Sequence, residues 1–172
     1  YKPKNIIELG SGSSTFIFSQ YCKEKNSKLL SVDESKKWLE LTKNALNINN
    51  LLPNTNIVLK ESFIEKNSKG NSYQITLPKD IDLIYIDGPT DKVDGKRKPN
   101  LDILKLFNKS IFPKIIAIDV RFKTVLEIFK SPHSSKYKFI PSTFFLCRQN
   151  INPFNFIYFG RLYYTCIFIR KY

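Results

Sequence analysis

Short apolar runs alternate with longer amphipathic stretches along most of the chain. Five of the runs have the length and composition of β-strands. They predict strands at Asn5–Leu9, Leu29–Val32, Asn56–Lys60, Ile81–Ile86 and Lys114–Ile118. The fourth run is almost continuously apolar, which is typical of a strand buried on both faces. Strands separated by stretches of helical length indicate β-α-β units and a parallel sheet.

The stretches around these strands show the spacing of amphipathic helices. They predict helices over Ser14–Lys25, Lys36–Asn49, Leu101–Ser110 and Lys123–Lys130. Ser35 is a candidate N-cap for the second helix, because serine accepts a hydrogen bond from the free backbone N–H groups there. The polar stretch 65–79 indicates a loop with at most a short helix or strand.

The last part of the chain is aromatic and β-prone at Tyr137–Cys147 and again at Arg161–Tyr172. These two segments predict the strands of a C-terminal antiparallel β-hairpin. The fold class is therefore α/β, with a doubly wound, mostly parallel sheet in three α-β-α layers. We expect one domain over residues 1–172, since the length is that of one domain. The chain opens on Tyr1 and contains no Met, so we expect its N-terminus to be incomplete.

The chain has a formal net charge of +13, which by itself indicates a nucleic acid or membrane partner. However, lysine supplies 23 of the 28 cations, and arginine, which binds phosphate with a bidentate fork, supplies 5. This composition fits a charge that is spread over the surface. No apolar run approaches the roughly 18–20 residues of a membrane span. Three cysteines are too few for a disulfide scaffold, so we expect a cytoplasmic protein that is not bound to a membrane.

Ligands of open α/β sheets bind at the carboxyl ends of the strands, so the residues there are candidate site residues. A charge beside a buried sheet is costly unless it is paired or has a function. Acidic residues lie at or near the ends of all five predicted strands: Glu8, Asp33 with Glu34, Glu61, Asp87 and Asp119. We interpret Glu61 as a solvated strand end and keep the others as candidates.

A glycine- and serine-rich loop follows the first strand, at Gly10–Ser14. Glycine permits a tight turn and a close approach of the backbone to a ligand. Asp33 after the second strand can accept the hydroxyls of a ribose, which indicates an adenosine cofactor. A dinucleotide fingerprint requires a further glycine where this chain has Thr15, so an NAD(P) oxidoreductase is the weaker alternative. Glu8 suits a cationic group better than a pyrophosphate.

Three segments together resemble motifs of the class I S-adenosylmethionine-dependent methyltransferases. Ile6–Thr15 is similar to their first motif, Ser31–Asp33 to the second and Asp82–Pro89 to the fourth. The C-terminal hairpin is similar to their antiparallel last strand. The resemblance covers Asn5–Arg170 and implies a Rossmann-like fold, S-adenosylmethionine as cofactor and S-adenosylhomocysteine as product.

The resemblance also implies roles for individual residues. The loop and Glu8 would line the methionine and ribose end, Asp33 would bind the ribose, and Asp87 would face the methyl group or the acceptor. Ser62 and Phe63 would lie by the adenine. The complete set of cofactor-binding candidates is Glu8, Gly10, Ser11, Gly12, Ser13, Ser14, Asp33, Glu34, Ser62, Phe63 and Asp87.

Asp87 and Asp119 are the candidate catalytic residues. They match two of the three positions at which catechol-type O-methyltransferases bind a divalent metal, but Val120 stands where the third ligand would be an Asn or Asp. A metal is therefore not expected, and any metal would be held by Asp87 and Asp119. Asp119 is equally well explained as a cap of the helix that follows it.

We expect methyl transfer to an oxygen or nitrogen atom of a small-molecule acceptor. An anionic acceptor could contact the basic loop Lys92–Lys98, with Arg97 and Arg121 as its suspected binding residues. An RNA or DNA methyltransferase is the first alternative. Asp87-Gly88-Pro89 lacks the Pro-Pro-aromatic pattern of enzymes that methylate nucleobase amino groups, which argues against it. A non-catalytic cofactor-binding protein is another alternative, and no feature predicts an oligomeric state.

Overall fold

The computed structural model describes residues 1–64, 70–93, 95–140 and 165–171. The strands are β1 (Asn5–Leu9), β2 (Lys28–Asp33), β3 (Thr55–Leu59), β4 (Ser62–Ile64), β5 (Asn71–Tyr73), β6 (Leu83–Ile86), β7 (Lys92–Val93), β8 (Lys96–Arg97), β9 (Ile115–Asp119), β10 (Tyr137–Ile140) and β11 (Thr165–Arg170). The helices are α1 (Ser13–Lys25), α2 (Lys36–Ile48), α3 (Asp102–Asn108) and α4 (Phe122–Lys130). Short 3-10 turns lie at Leu52–Asn54 and Ser134–Lys136.

Seven strands form one sheet in the order β10-β11-β9-β6-β1-β2-β3. The five strands from β9 to β3 pair in parallel. The chain builds the sheet from β1 toward β2 and β3 and then continues on the other side of β1 with β6. The connections therefore leave β1 and β6 in opposite directions, and the crevice between their carboxyl ends is the place where such sheets bind ligands.

The sheet lies between two layers of helices, as the alternation of side chains along β1 shows. Ile6 packs with Cys22 of α1, while its neighbour Ile7 packs in the main core with Phe107 of α3 and Ile128 of α4. The helices α1 and α2 thus cover one face, and α3 and α4 cover the other. The predicted three-layer α-β-α architecture is confirmed.

At one edge of the sheet, β11 runs antiparallel to both β9 and β10. The pairing of Tyr137 with Arg170 confirms the predicted antiparallel C-terminal pair of strands. The predicted strand residues 141–147 and 161–164 and the segment between them lie outside the described residues. None of the described helices is both long and apolar enough to cross a membrane.

The predicted helix bounds agree with the structure to within one to two residues, but α1 does not bury all of its aromatic residues. Phe16 and Ile17 are exposed, Phe18 and Tyr21 are partly buried, and the fully buried residues are the small Thr15, Ser19 and Cys22. Small side chains at this i, i+4, i+7 spacing let the helix lie close to the sheet. Ser35 caps α2 as predicted, accepting a hydrogen bond from the Trp38 backbone N–H at 3.3 Å.

Candidate functional site

Two adjoining cavities lie at the carboxyl ends of the parallel strands. The larger, of about 450 Å³, is here called the strand-end cleft, and it is lined by Gly10, Ser11, Asp33, Glu34, Ser35, Trp38, Tyr73, Asp87, Gly88, Pro89, Thr90, Asp91 and Arg121. The second, of about 410 Å³, is called the side cavity, and it is lined by Asp87, Asp91, Lys92, Arg97, Asp119, Val120 and Arg121. The strand ends predicted from the sequence therefore do meet at one site.

Glu8 does not line either of these two cavities, and its contact with a cofactor stays a prediction. Its carboxylate is fully buried and accepts hydrogen bonds of 2.6 Å from the hydroxyl groups of Ser14, Thr15 and Ser31. Burial raises the pKa of Glu8 to about 7, although the three hydroxyl groups lower it; the charge of Asp87 raises it further. Glu8 thus links the start of α1 to β2 through hydrogen bonds and holds the end of the glycine loop in position.

The glycine loop is held where it passes Gly88. The Gly10 backbone has φ of 100°, and a Cβ atom built there would lie 2.6 Å from the Gly88 nitrogen. The Gly88 N–H donates to the carbonyl of Leu9, and the Gly10 N–H donates to the carbonyl of Val32 at 2.8 Å. These contacts bring the ends of β1, β2 and β6 together so closely that a side chain cannot fit at Gly10.

Gly12, Ser13 and Ser14 lie at the beginning of α1 and do not line the cavities. The Gly12 N–H donates to the Thr15 hydroxyl at 2.9 Å, and Ser13 is exposed. A Cβ atom at Gly12 would meet no atom within 4 Å, so the space beside its backbone is open. Ligand contact by these three residues stays a prediction.

Asp33 forms part of the wall of the strand-end cleft and also braces it. Its Oδ2 atom accepts hydrogen bonds from the backbone N–H and the hydroxyl of Ser11, both at 2.7 Å. Its Oδ1 atom accepts one from the Ser35 N–H at 2.7 Å. A carboxylate has about four acceptor positions, so Asp33 retains about one for a ligand.

Glu34 is the second carboxylate of the cleft wall. It accepts hydrogen bonds from the Ser62 hydroxyl and, at 2.7 Å, from the Thr90 N–H. Burial opposes ionisation, but these donors and the nearby charge of Arg121 lower the pKa of Glu34 below its ordinary value. Glu34 is therefore held as an ionised group that faces the cavity.

Ser62 and Phe63 are the residues that the resemblance places by the adenine. They lie in β4, which pairs with β5, and neither lines the cleft. Ser62 acts on the site through Glu34, and the ring of Phe63 lies 4.5 Å from the Lys105 ammonium group. The aromatic residue that β5 contributes to the cleft is Tyr73. Contact of Ser62 and Phe63 with adenine stays a prediction.

Asp87 directly follows β6 and Asp119 is the last residue of the neighbouring β9, and Ile86 of β6 is in register with Ile118 of β9. The Asp87 side chain is 50% exposed and lines both cavities. Desolvation raises the pKa of Asp87 to about 6; the charge of Arg121 lowers it, and Asp119 raises it further. Asp119 lines the side cavity but not the strand-end cleft, and it accepts a hydrogen bond of 3.3 Å from the Thr165 hydroxyl.

The donor set around Asp87 and Asp119 does not match a complete metal site. Among the described residues, no group of three or more His, Cys, Asp or Glu side chains could hold a metal ion. Val120, the residue directly after Asp119, has a left-handed backbone φ of 50°. This φ is rare for a β-branched residue.

Several residues of the cleft had no sequence motif that identified them. Tyr73 comes from the polar middle of the chain, Thr90 from the loop after β6, and Trp38 from the first turn of α2. Trp38 could have been found, because a helix that begins directly after a strand end faces the same edge of the sheet. Tyr73 could not have been found from the sequence, because its position in the cleft depends on the pairing of β4 with β5.

No protein-family model and no curated protein sequence matches this chain. Solved structures do match over almost its full length. A Podospora anserina methyltransferase with bound S-adenosylhomocysteine is 13% identical, with a TM-score of 0.57, over 99% of this chain and 73% of its own. A Streptococcus mutans protein described as a methyltransferase, also with S-adenosylhomocysteine, is 15% identical, with a TM-score of 0.58, over 99% and 90%.

An rRNA methylase from Streptococcus thermophilus is 12% identical, with a TM-score of 0.56, and the match covers 99% of this chain and 89% of its own. At such low identity these similarities concern the arrangement of strands and helices. The seven-stranded sheet and its antiparallel strand β11 are part of the arrangement that these matches cover. The chain therefore has the fold of the class I methyltransferases.

Proposed function

We propose that this chain is an S-adenosylmethionine-dependent methyltransferase that acts on an oxygen or nitrogen atom of a small-molecule acceptor. One observation carries the proposal. The strand-end cleft lies at the switch point between β1 and β6, and the carboxylates of Asp33 and Glu34, at the end of β2, are on its wall. Structures of the same fold with bound S-adenosylhomocysteine support the choice of cofactor.

The residues of the cleft fit this cofactor. Its volume of about 450 Å³ is within the range of roughly 300–1,000 Å³ found for small-molecule sites. Ribose offers two hydroxyl donors, and Asp33 has about one free acceptor position, so Glu34 would accept the second. Gly10 and Ser11 present backbone at the wall, and Trp38 adds an aromatic surface.

When bound, S-adenosylmethionine supplies a methyl group that is already activated by the sulfonium. The chain then has to align the acceptor and take up the proton that its O–H or N–H group loses. Asp87 is placed for that proton, because its half-exposed carboxylate lines the strand-end cleft and the side cavity together. We assign the acceptor to the side cavity for the same reason.

Cofactor binding is tested by calorimetric titration with S-adenosylmethionine, S-adenosylhomocysteine and NAD. The chain has one tryptophan, and it lines the cleft, so quenching of Trp38 fluorescence gives an independent measure. We expect Glu34→Gln to weaken S-adenosylhomocysteine binding about tenfold or more, as loss of a hydrogen bond to a charged group does. The matched control is Glu40→Gln, whose side chain is 59% exposed on α2. Binding of NAD alone would contradict the proposal.

Catalysis is tested separately with methyl-labelled S-adenosylmethionine and a panel of small alcohols, phenols and amines. We expect Asp87→Asn to lose methyl transfer while it retains S-adenosylhomocysteine binding, because Asp87 serves the acceptor. Cofactor binding without transfer to any acceptor would favour the non-catalytic alternative.

An RNA substrate is the second candidate. The net charge of +13 and the similarity to an rRNA methylase favour it. It is tested with labelled methyl transfer to total RNA and with RNA affinity at several salt concentrations, since phosphate contacts make the affinity fall steeply with salt. Transfer to RNA and to none of the small molecules would replace the small-molecule assignment.

A further inference from the structure

The guanidinium group of Arg121 is buried with two unused donors. Its side chain is 9% exposed, and its Nη2 atom donates a hydrogen bond to the backbone carbonyl of Asp87. The Nε and Nη1 atoms are buried and have no hydrogen-bond partner among the described residues. Buried polar groups in native proteins are normally paired, and an unpaired charged donor is especially costly. A buried guanidinium of this kind at a cavity wall indicates a residue that binds a ligand.

The neighbouring carboxylate does not fill these positions. The Arg121 Nε atom lies 3.9 Å from Asp87 Oδ1, which is too far for a hydrogen bond. Arg121 also lines both the strand-end cleft and the side cavity. The Arg121 side chain, with the three N–H groups on its Nε and Nη1 atoms, therefore lies where the two cavities meet.

The backbone around Arg121 fixes its position. Val120 holds the left-handed φ of 50°, an unfavourable conformation for a β-branched residue. The Arg121 carbonyl then accepts hydrogen bonds from Thr124 at 2.9 Å and from Val125 at 3.2 Å, at the start of α4. Unfavourable backbone conformations of this kind concentrate at binding sites, where the surrounding structure maintains them.

The charges of the side cavity select the kind of anion. A guanidinium fork matches a carboxylate or a phosphate. Three carboxylates, Asp87, Asp91 and Asp119, line the cavity beside three cations. These charges cancel, so a phosphate with two negative charges gains no more net attraction from the lining than a carboxylate with one, while it loses more hydration on entering the cavity. The cavity therefore favours the singly charged group.

We infer that Arg121 binds a carboxylate group of the acceptor, and that the acceptor is a small carboxylate-bearing molecule whose reacting O–H or N–H group faces Asp87. The inference rests on the proposed function, because it takes the side cavity as the acceptor site. It makes Arg121 a residue that determines acceptor specificity.

The probe is acetate, with acetamide as the uncharged control and inorganic phosphate as the competing anion. The arginine Nε–H signals of the ¹⁵N-labelled chain are few, because the sequence has five arginines. The Arg121 signal is the one that disappears in Arg121→Lys. Arg170, which binds the Phe112 carbonyl at the other end of the strands, is the internal control. The titration is made with and without saturating S-adenosylhomocysteine.

We expect acetate to shift the Arg121 signal to saturation, acetamide to leave it unchanged, and Arg170 to respond to neither. In the methyl-transfer panel, we expect carboxylate-bearing acceptors to lose at least about tenfold in kcat/KM on Arg121→Lys, with their amides unaffected. Absence of an acetate shift would overturn the inference, and so would phosphate binding more tightly than acetate.

The cofactor itself has a carboxylate, so its binding is compared with that of 5′-methylthioadenosine, which has none. We expect Arg121→Lys to change both affinities by the same factor, because Arg121 lines the cleft that holds the adenosine part that the two compounds share. Loss of S-adenosylhomocysteine affinity alone would show that the carboxylate belongs to the cofactor, and the acceptor assignment would be wrong. Failure of the wild-type chain to bind S-adenosylhomocysteine would instead refute the proposed function, and the acetate titration without cofactor would still report on Arg121.

Discussion

The buried carboxyl group of Glu8 makes the stability of this chain depend on pH. Burial raises its pKa from the ordinary 4.5 to about 7, against the opposing effect of three hydroxyl donors. Between these two pH values, the folded chain keeps a proton that the unfolded chain has lost. The free energy of unfolding therefore falls as the pH rises through this window. The destabilisation is absent below about pH 4.5 and complete above about pH 7.

The magnitude follows from the size of the pKa change. A rise of roughly 2.5 units corresponds to about 3 kcal/mol, at 1.36 kcal/mol for each unit. Of this, about 2.5 kcal/mol is lost between roughly pH 5 and pH 8. Glu8→Gln removes the ionisable group and keeps its shape, and the amide can still exchange hydrogen bonds with the surrounding hydroxyl groups. We expect the variant to lose about 2.5 kcal/mol less than wild type over the same interval.

The assay is urea unfolding at about pH 5 and about pH 8 for wild type, Glu8→Gln and the exposed control Glu40→Gln. The control should follow wild type, because the Glu40 side chain is 59% exposed. Other groups that titrate in this range and do not interact with Glu8 contribute equally to all three proteins and cancel in the comparison, whereas the charge coupling of Glu8 to Asp87 is part of the measured difference. Equal losses for wild type and Glu8→Gln would refute the reasoning.

Four further outcomes are expected. Gly10→Ala should destabilise the fold by about 2 kcal/mol or more, since φ is 100° and the Cβ atom would lie 2.6 Å from the Gly88 nitrogen; an unchanged urea midpoint would contradict this. Asp33→Asn should cost about 1–3 kcal/mol, because one of its two hydrogen-bonding oxygens becomes a donor. Leu46→Ala, at a fully buried position of α2, should cost about 2–5 kcal/mol. Ile48→Ala on the same helix, 79% exposed, should stay within about 0.5 kcal/mol, and equal losses would be inconsistent with the packing. EDTA should leave S-adenosylhomocysteine affinity and methyl transfer unchanged, and an activity that chelation abolishes and Mg²⁺ restores would show a metal enzyme.

The order of the elements could be predicted because its signals are local. The first strand is observed at the predicted Asn5–Leu9, and α2 begins at the predicted Lys36. Apolar runs and helical spacing report which backbone conformation buries a segment, and this depends on neighbouring residues alone. The same pattern was less informative for α1, where Thr15 and Ser19 face the sheet and Phe16 does not.

The position of Glu8 shows the limit of motif reasoning. Its side chain is on the same face of β1 as that of Ile6, toward α1, because side chains alternate along a strand. That parity could be read from the sequence. The three hydroxyl partners could not, because Ser31 reaches Glu8 through the register of β1 with β2.

By itself, the sequence determined the five parallel strands and the four helices, the α/β class and the strand ends that carry Asp33, Glu34 and Asp87. Only the tertiary structure decided which other side chains complete the cleft. Arg121, which the sequence suggested only as a contact for an anionic acceptor, is brought to the cleft by the left-handed turn at Val120, and its unused donors are defined by what lies around it. The physical reason is that periodicity records burial along the chain, whereas a binding site depends on register, turns and charges that distant segments bring together.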